Sequence, residues 1–168
     1  MNDVKKILAP TDLSKLSLTG LRYAFNLAQN FGAEVTVYHV INRDEIMQFS
    51  EQLQRLGNPV AIGRHTDNLL EESQDALSHF LSDNMADLLS LVKVRTKVEI
   101  GLPYKNIVER ARDDGADLIV MSTHGRTGFS HILLGSVTEK VVRTAPCPVV
   151  SIHPKEERES SEKKGPIC

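Results

Sequence analysis

The sequence predicts an α/β fold: a single domain with an open, twisted, parallel sheet of five strands and helices on both faces. Short apolar segments rich in β-branched residues alternate along the chain with longer segments of helical period. Glycine and proline mark most of the boundaries between these segments. Such alternation is typical of β-α-β units, whose strands are parallel and whose crossovers are right-handed.

Composition and charge restrict the classes of function. The 168 residues suit one domain with a sizeable core, and the formal net charge of -2 argues against a basic surface for nucleic acid or anionic membranes. No segment approaches the roughly 20 apolar residues that span a bilayer, and the apolar run at the start is too short for a signal peptide. Cys147 and Cys168 make no disulfide framework. We therefore expect a cytoplasmic protein.

The first β-α-β unit occupies the start of the chain. The segment "VKKILAPTD" predicts a buried strand, and "SLTGLRYAFNLAQNFG" predicts a helix that Ser14 or Ser17 could cap and that ends at Gly32. The segment "EVTVYHVI" has the β-branched density of a strand buried on both faces. His39 lies inside it, so we expect a hydrogen-bonded structural histidine there.

A long connection interrupts the alternation between residues 42 and 92. Its apolar spacing predicts a short helix, then a loop over "GNPVAIGRHTD", then a longer helix that extends to Val92. We interpret this region as an elaborated crossover within one domain of residues 1–153. Residues 154–168 are charged and lack apolar periodicity, so we expect a disordered tail.

Alternation resumes in the second half of the chain. The segment "VRTKVEIG" predicts a strand, and "PYKNIVERARDDG" predicts a helix with Pro103 in its first turn and Gly115 after its end. The segments "ADLIVMST" and "CPVVSI" predict the last two strands. A helix from about Val137 to Thr144 lies between them.

The connection before this last helix, "STHGRTGFSHILLGS", contains three glycines. It follows the carboxyl end of a strand, where open α/β sheets bind ligands. Ser136 and Glu139 fit a capping box, which is a purely structural explanation. Alternatively, the helix start presents free amides to a phosphate, with the hydroxyls of Ser136 and Thr138 as further donors and glycines that permit close approach. Spacing alone leaves both explanations open.

Three segments carry a resemblance to a known family. They are "ILAPTDLSKLSLTGLRYAFNLAQNFGAEVTVYHVI", "VEIGLPYKNIVERARDDG" and "ADLIVMSTHGRTGFSHILLGSVTEKVVRTAPCPVVSI", and together they span most of residues 4–152. The chain resembles a universal stress protein of the UspA family. The resemblance implies a Rossmann-like, adenine nucleotide alpha hydrolase-like fold. It also implies a homodimer in which the strand near Val149–Ile152, otherwise an exposed edge, pairs with its symmetry mate.

The ATP-binding branch of that family is similar to G-x2-G-x9-G-[ST], and here Ser122 occupies the first glycine position. The resemblance implies that ATP, with or without Mg²⁺, is the ligand. Asp12 would accept hydrogen bonds from the ribose, although alone it reads as a turn residue or cap. The implied binding residues, from the adenosine end to the phosphate end, are Pro10, Thr11, Asp12, Val40, Met121, Ser122, Gly125, Gly135, Ser136, Val137 and Thr138.

The serine at position 122 has three possible effects on such a site. If the position requires a left-handed backbone, serine weakens binding about tenfold. If the ribose packs on the missing Cβ, the clash is worse. If only the backbone amide is used, in ordinary geometry, serine is neutral. The sequence does not choose among them.

Three functions fit these observations: a regulatory stress-response module that binds ATP, a slow ATPase or phosphotransferase, and an interaction protein that binds no nucleotide. Phosphoryl chemistry needs a positioned base and carboxylates that hold Mg²⁺ near the terminal phosphate. Asp12 belongs to the ribose end, and no other acid in the motif serves this purpose. We therefore favour binding over turnover, and we assign neither a catalytic residue nor a metal ligand.

Overall fold

The computed structural model describes residues 3–55, 62–124 and 134–154. Five strands form one parallel sheet in the order β3-β2-β1-β4-β5, which confirms the predicted fold class. In chain order the elements are β1 Lys6–Thr11, α1 Ser17–Phe31, β2 Glu34–Asn42, α2 Arg43–Arg55, α3 Ile62–Leu89, β3 Val94–Gly101, α4 Pro103–Asp113, β4 Leu118–Ser122, α5 Ser136–Thr144 and β5 Val149–Ile152. Within the described ranges, no helix is long and apolar enough to cross a membrane.

Most predicted helix ends are confirmed. Gly32 follows α1 in the left-handed conformation, with φ of 64°, and Gly115 follows α4 with φ of 62°. Pro103 is the first residue of α4. At the start of α1 neither predicted serine is the N-cap residue, which is Leu16. Ser14 still contributes, because its Oγ accepts a 3.2 Å hydrogen bond from the amide of Ser17.

The long connection between β2 and β3 contains the two predicted helices, α2 and α3. The predicted loop over residues 57–67 is too long, since α3 already begins at Ile62. Gly63 falls in the first turn of α3, where a glycine does not interrupt the hydrogen-bonded interior of a helix. The helix also ends at Leu89, before the predicted end at Val92. Residues 56–61 lie outside the described part of the chain.

Two hydrophobic clusters cover the two faces of the sheet, as predicted. Alternation along β1 sends Ile7 and Ala9 to one face and Leu8 to the other. Helices α1 and α3 pack on the first face, where the buried side chains include Phe25 and Leu77. Helices α4 and α5 pack on the second face, with buried side chains Ile107, Val108, Ala111 and Val141.

Helix α1 lies unusually close to the carboxyl end of β4. A Cβ atom added to Gly20 would stand 2.6 Å from the backbone N of Ser122 and 2.8 Å from the carbonyl carbon of Met121. The amide of Gly20 donates a buried 3.1 Å hydrogen bond to Ser122 Oγ. Any side chain at position 20 would therefore push the helix away from the strand.

Replacing Gly20 with alanine should destabilise the protein. Overpacking against backbone costs about 1–3 kcal/mol, even though alanine is the better helix former by about 1 kcal/mol. Urea unfolding should show the loss, whereas Asn26→Ala, at an exposed position of the same helix, should leave the free energy of unfolding unchanged or slightly raised. A Gly20→Ala protein more stable than wild type would contradict the close contact.

An ion cluster joins the first residues of β2 and β3. The Glu34 carboxylate pairs with Arg95 and, at 3.0 Å, with Lys93 Nζ. Hydrogen bonds from Arg95 and Lys93 lower the pKa of Glu34 to about 2. Because the pKa is depressed in the folded state, the cluster stabilises the fold at neutral pH and loses this effect as the pH falls through about 2.

The stability advantage of wild type over Glu34→Gln should accordingly depend on pH. Both cations are mostly exposed, so we expect an advantage of about 1 kcal/mol or less above pH 5. It should shrink steadily as the pH falls from about 4.5 towards 2 in urea titrations. A difference that stays constant from pH 7 to pH 2 would show that the carboxylate charge contributes nothing.

Candidate functional site

A cavity of about 270 Å³ opens at the carboxyl ends of the strands. The chain places β2 and β3 on one side of β1 and β4 and β5 on the other. The cavity therefore lies at the topological switch point, where open α/β sheets bind ligands. Gly125 lies outside the described residues. The other ten predicted binding residues line this cavity: Pro10, Thr11, Asp12, Val40, Met121, Ser122, Gly135, Ser136, Val137 and Thr138.

The turn after β1 holds Asp12 in a fixed position. Asp12 Oδ1 accepts hydrogen bonds from the amide and hydroxyl of Ser14, at 3.0 and 2.6 Å. Thr11 Oγ1 accepts from the amide of Leu13 at 3.1 Å and lies 2.8 Å from Ser17 Oγ. Asp12 is thus a turn residue, as its local sequence suggests. A carboxylate has about four acceptor positions.

The side chain of Ser122 faces α1. Its hydroxyl donates a 2.7 Å hydrogen bond to the carbonyl of Leu16 and accepts one from the amide of Gly20. Ser122 is the last residue of β4, so its backbone is extended and not left-handed. The first of the three possible effects of this serine therefore does not fit, because its backbone is not left-handed. The hydroxyl bonds a helix on the face opposite α5. The serine fastens α1 to the sheet.

Helix α5 begins one residue earlier than its predicted start, and its cap differs from the prediction. Gly135 is the N-cap residue, with φ of -65° and ψ of 152°, and no side chain caps the helix. Ser136 is the first helical residue, so the predicted capping box with Glu139 is wrong. The amide of Gly135 donates a 2.7 Å hydrogen bond to the carbonyl of Thr123, and an added Cβ would lie 2.9 Å from that oxygen. Position 135 is a glycine because two backbone segments meet there.

The first turn of α5 presents backbone donors at the cavity. The first intrahelical hydrogen bond runs from the amide of Glu139 to the carbonyl of Gly135, at 2.9 Å. The amides of Ser136, Val137 and Thr138 precede it and have no acceptor within the helix. The Thr138 hydroxyl, predicted as a further ligand donor, instead donates to the carbonyl of Ser122 at 3.0 Å. This hydrogen bond holds the start of α5 against the end of β4.

Part of the cavity wall is apolar. Tyr38, Val40, Pro103, Ile107 and Met121 contribute to its walls. The Tyr38 hydroxyl donates a 2.5 Å hydrogen bond to Glu99 Oε2. Burial and the neighbouring carboxylate raise the pKa of Tyr38, so its ring enters the cavity wall as a neutral group.

The strand order sets the width of the cavity. One strand, β1, separates β2, which carries Val40, from β4, which carries Met121 and precedes α5. Neighbouring strands lie about 4.8 Å apart, so the ends of β2 and β4 are separated by about 10 Å. Asp12 follows β1, the strand between them. Apolar side chains, a carboxylate and a group of amide donors thus line one cavity.

Sequence reasoning missed several residues of this lining. Asn42 and Glu45 come from the end of β2 and the start of α2, and Thr123 and His124 follow β4. All four lie at or just after the carboxyl end of a strand, at the edge of the sheet where the site is predicted. That position in the sequence could have identified them as lining residues. Ser17, Tyr38, Pro103 and Ile107 complete the set of missed residues. The prediction for His39 is confirmed: the ring is buried, and its Nδ1 lies 2.9 Å from the Thr11 carbonyl oxygen.

Solved structures with this architecture include a complex with a nucleotide. The structure of hypothetical protein MJ0577 superposes with a TM-score of 0.72 at 32% identity, over 92% of this chain and 99% of that one. The universal stress protein from Archaeoglobus fulgidus in complex with dAMP has a TM-score of 0.58 at 20% identity, over 90% and 99% of the two chains. The second likeness is one of fold.

Sequence comparison also finds universal stress proteins as relatives. Universal stress protein MJ0531 of Methanocaldococcus jannaschii is 40% identical over 157 residues, which cover 93% of this chain and 86% of that protein. The sequence profile of the universal stress protein family matches residues 3–153. With this match, the identity to MJ0531 and the observed sheet order, the chain belongs to the universal stress protein family.

Proposed function

We propose that this protein binds ATP in the cavity at the carboxyl edge of the sheet and acts as a dimeric regulatory module of a stress response in the cytoplasm. One observation carries the proposal. Amide donors at the start of α5, apolar side chains of β2, β4 and α4, and the carboxylate of Asp12 line one cavity. A nucleotide carries groups that match them: polyphosphate, base and ribose.

The phosphate end of the proposed site is the first turn of α5. A helix N-terminus attracts an anion through its free amides and its partial positive charge. Each exposed contact of this kind contributes about 0.3–1 kcal/mol, whereas micromolar binding needs about 8 kcal/mol. Three amides in one turn therefore cannot hold the ligand alone. The ribose and base contacts have to supply most of the affinity.

Val40 and Met121 would enclose the adenine ring between apolar side chains. Asp12 would accept hydrogen bonds from the ribose hydroxyls, because its turn keeps the carboxylate at the cavity. The Archaeoglobus fulgidus complex with dAMP supports an adenine nucleotide as a ligand for this fold. Mg²⁺, where present, would accompany the phosphates as their counter-ion.

We propose binding without efficient hydrolysis. Asp12 follows β1, whereas α5 follows β4, so the carboxylate belongs to the middle of the cavity and not to the terminal phosphate. A base for phosphoryl transfer has to orient the attacking group at that phosphate. Release of inorganic phosphate at many turnovers per minute would favour the enzyme instead.

The proposed dimer uses β5, one of two edges of the sheet. The other edge, β3, carries Arg95, Lys97 and Glu99, and such charges discourage edge-to-edge pairing. Strand β5 has no charged residue. Its even-numbered carbonyls face β4, since Pro148 and Ile152 accept from the amides of Ile119 and Thr123. By alternation, Val149 and Ser151 direct their backbone groups to the open edge, where a second copy can pair.

Replacing Ser136 with proline should weaken ATP binding and preserve the fold. Proline is favoured at the first position of a helix, and the extended backbone of Gly135 suits a residue that precedes proline. The change removes one amide donor that contributes about 0.3–1 kcal/mol, so ATP affinity should fall about two- to fivefold. Isothermal titration calorimetry measures the affinity, and ATP should raise the melting temperature of wild type in a dose-dependent way.

Ser136→Ala is the matched control, because it removes only the hydroxyl and keeps the amide. If Ser136→Pro and Ser136→Ala bind ATP equally well, the α5 amides do not hold the phosphates. If wild type shows no thermal shift at millimolar Mg-ATP, the interaction-only alternative is favoured.

Replacing Ser151 with proline should convert the dimer to a monomer. The ring removes an amide that faces the open edge, while the ladder to β4 uses the neighbouring residues. Ser151→Thr keeps the amide and should remain dimeric. Light scattering after size-exclusion chromatography gives the masses; two variants with the same mass would place the dimer interface elsewhere.

A further inference from the structure

Tyr38 closes the inner end of the cavity. It lines the cavity but is fully buried, so the cavity ends at its side chain and does not open to solvent there. In the sheet Tyr38 pairs with Pro10, and Asp12 follows Pro10 by two residues. A strand rises about 3.3 Å per residue, so Tyr38 lies about 7 Å farther from the carboxyl edge than Asp12.

The ring of Tyr38 is held at its outer end as well as by its backbone. Its hydroxyl donates a 2.5 Å hydrogen bond to Glu99 Oε2 of β3, and Asn106 and Arg110 of α4 lie close to the same side chain. Arg110 Cζ lies 5.9 Å from the ring centroid, which is within the range of a cation–π attraction. Arg110 also pairs with Glu99. The ring therefore cannot turn away from an incoming group without losing these contacts.

The depth of Tyr38 orients the proposed nucleotide. Asp12, the proposed ribose contact, lies nearer the carboxyl edge, so a base attached to that ribose extends inward towards the Tyr38 ring. The ribose is attached at N9 of adenine, and the edge of the purine farthest from N9 carries C6 with its amino group. That amino edge is therefore the part of the base that meets Tyr38.

We propose that Tyr38 is a specificity-determining residue, which sets the depth of the base pocket and excludes adenine nucleotides that carry a bulky group on the N6 amino nitrogen. The inference rests on the proposed function and deepens it, because it states which adenine nucleotides the site accepts. A fixed ring leaves no space for such a group. A small side chain at the same position would leave an apolar cavity, and such cavities take up aromatic rings of matching size.

Two substituted nucleotides test the depth of the pocket by calorimetry. N6-benzyl-ATP adds a ring at the inner edge of the base, and wild type should bind it about 10- to 100-fold more weakly than ATP, as expected for overpacking. Tyr38→Ala should reverse this order and bind N6-benzyl-ATP about tenfold more tightly than ATP. 8-Bromo-ATP is the control ligand, because C8 lies next to N9 on the ribose side. Its affinity relative to ATP should be the same in both proteins.

Matched variants separate pocket depth from general loosening of the core. Tyr38→Phe keeps the ring and should still bind N6-benzyl-ATP more weakly than ATP. Phe25→Leu changes a buried ring of the other hydrophobic cluster, which does not line the cavity, so it should keep the wild-type ratio of affinities. Tyr38→Val with the smaller N6-ethyl-ATP keeps the test available if Tyr38→Ala does not fold, since valine suits a strand.

The outcomes distinguish the inference from the proposed function. If wild type binds ATP and N6-benzyl-ATP equally well, Tyr38 does not limit the base, and the inference is overturned while nucleotide binding stands. The same conclusion follows if the smaller side chains at position 38 leave the ratio of affinities unchanged. If wild type binds neither ATP nor the two analogues, both proposals fail together.

Discussion

The contact between α1 and the end of β4 determines how the site is built. Gly20 lets the helix lie against the backbone of Ser122, and the serine hydroxyl bonds both Leu16 and Gly20. On the opposite face, the Ser122 carbonyl accepts from Thr138 of α5. One residue thus fastens a helix to each face of the sheet. The turn that carries Asp12 and the helix start that carries the amides are both fixed relative to this single strand end.

The chemistry of the cavity follows from chain topology. Because β1 lies between β2 and β4, side chains from the ends of all three strands line one cavity. The apolar wall comes from strands buried on both faces, and the donors come from a helix whose first amides have no internal acceptor.

The parts of the fold that the sequence predicts correctly are those that depend on residues close together in the chain. Strand alternation, Gly32, Gly115 and Pro103 act on their own neighbours, and the structure matches them. The contact of Ser122 with α1 could not be predicted from the sequence, since its partner Gly20 is 102 positions away. The capping box at Ser136 satisfied a spacing rule, but the contact of Gly135 with Thr123 sets where α5 begins. Likewise, the hydrogen bond from the amide of Thr123 to the carbonyl of Ile152 needs the pairing of β4 with β5.

One backbone angle has a consequence for how a ligand is received. Leu13, next to Asp12, adopts φ of 62°, which is unfavourable for a side-chain-bearing residue by about 1–2 kcal/mol. Its side chain packs against the hydrophobic core, and its amide bonds Thr11, so the tight bend is locked before anything enters the cavity. The carboxylate beside it is pre-organised. An incoming sugar would then lose little affinity to the ordering of this loop, because folding has already completed that step.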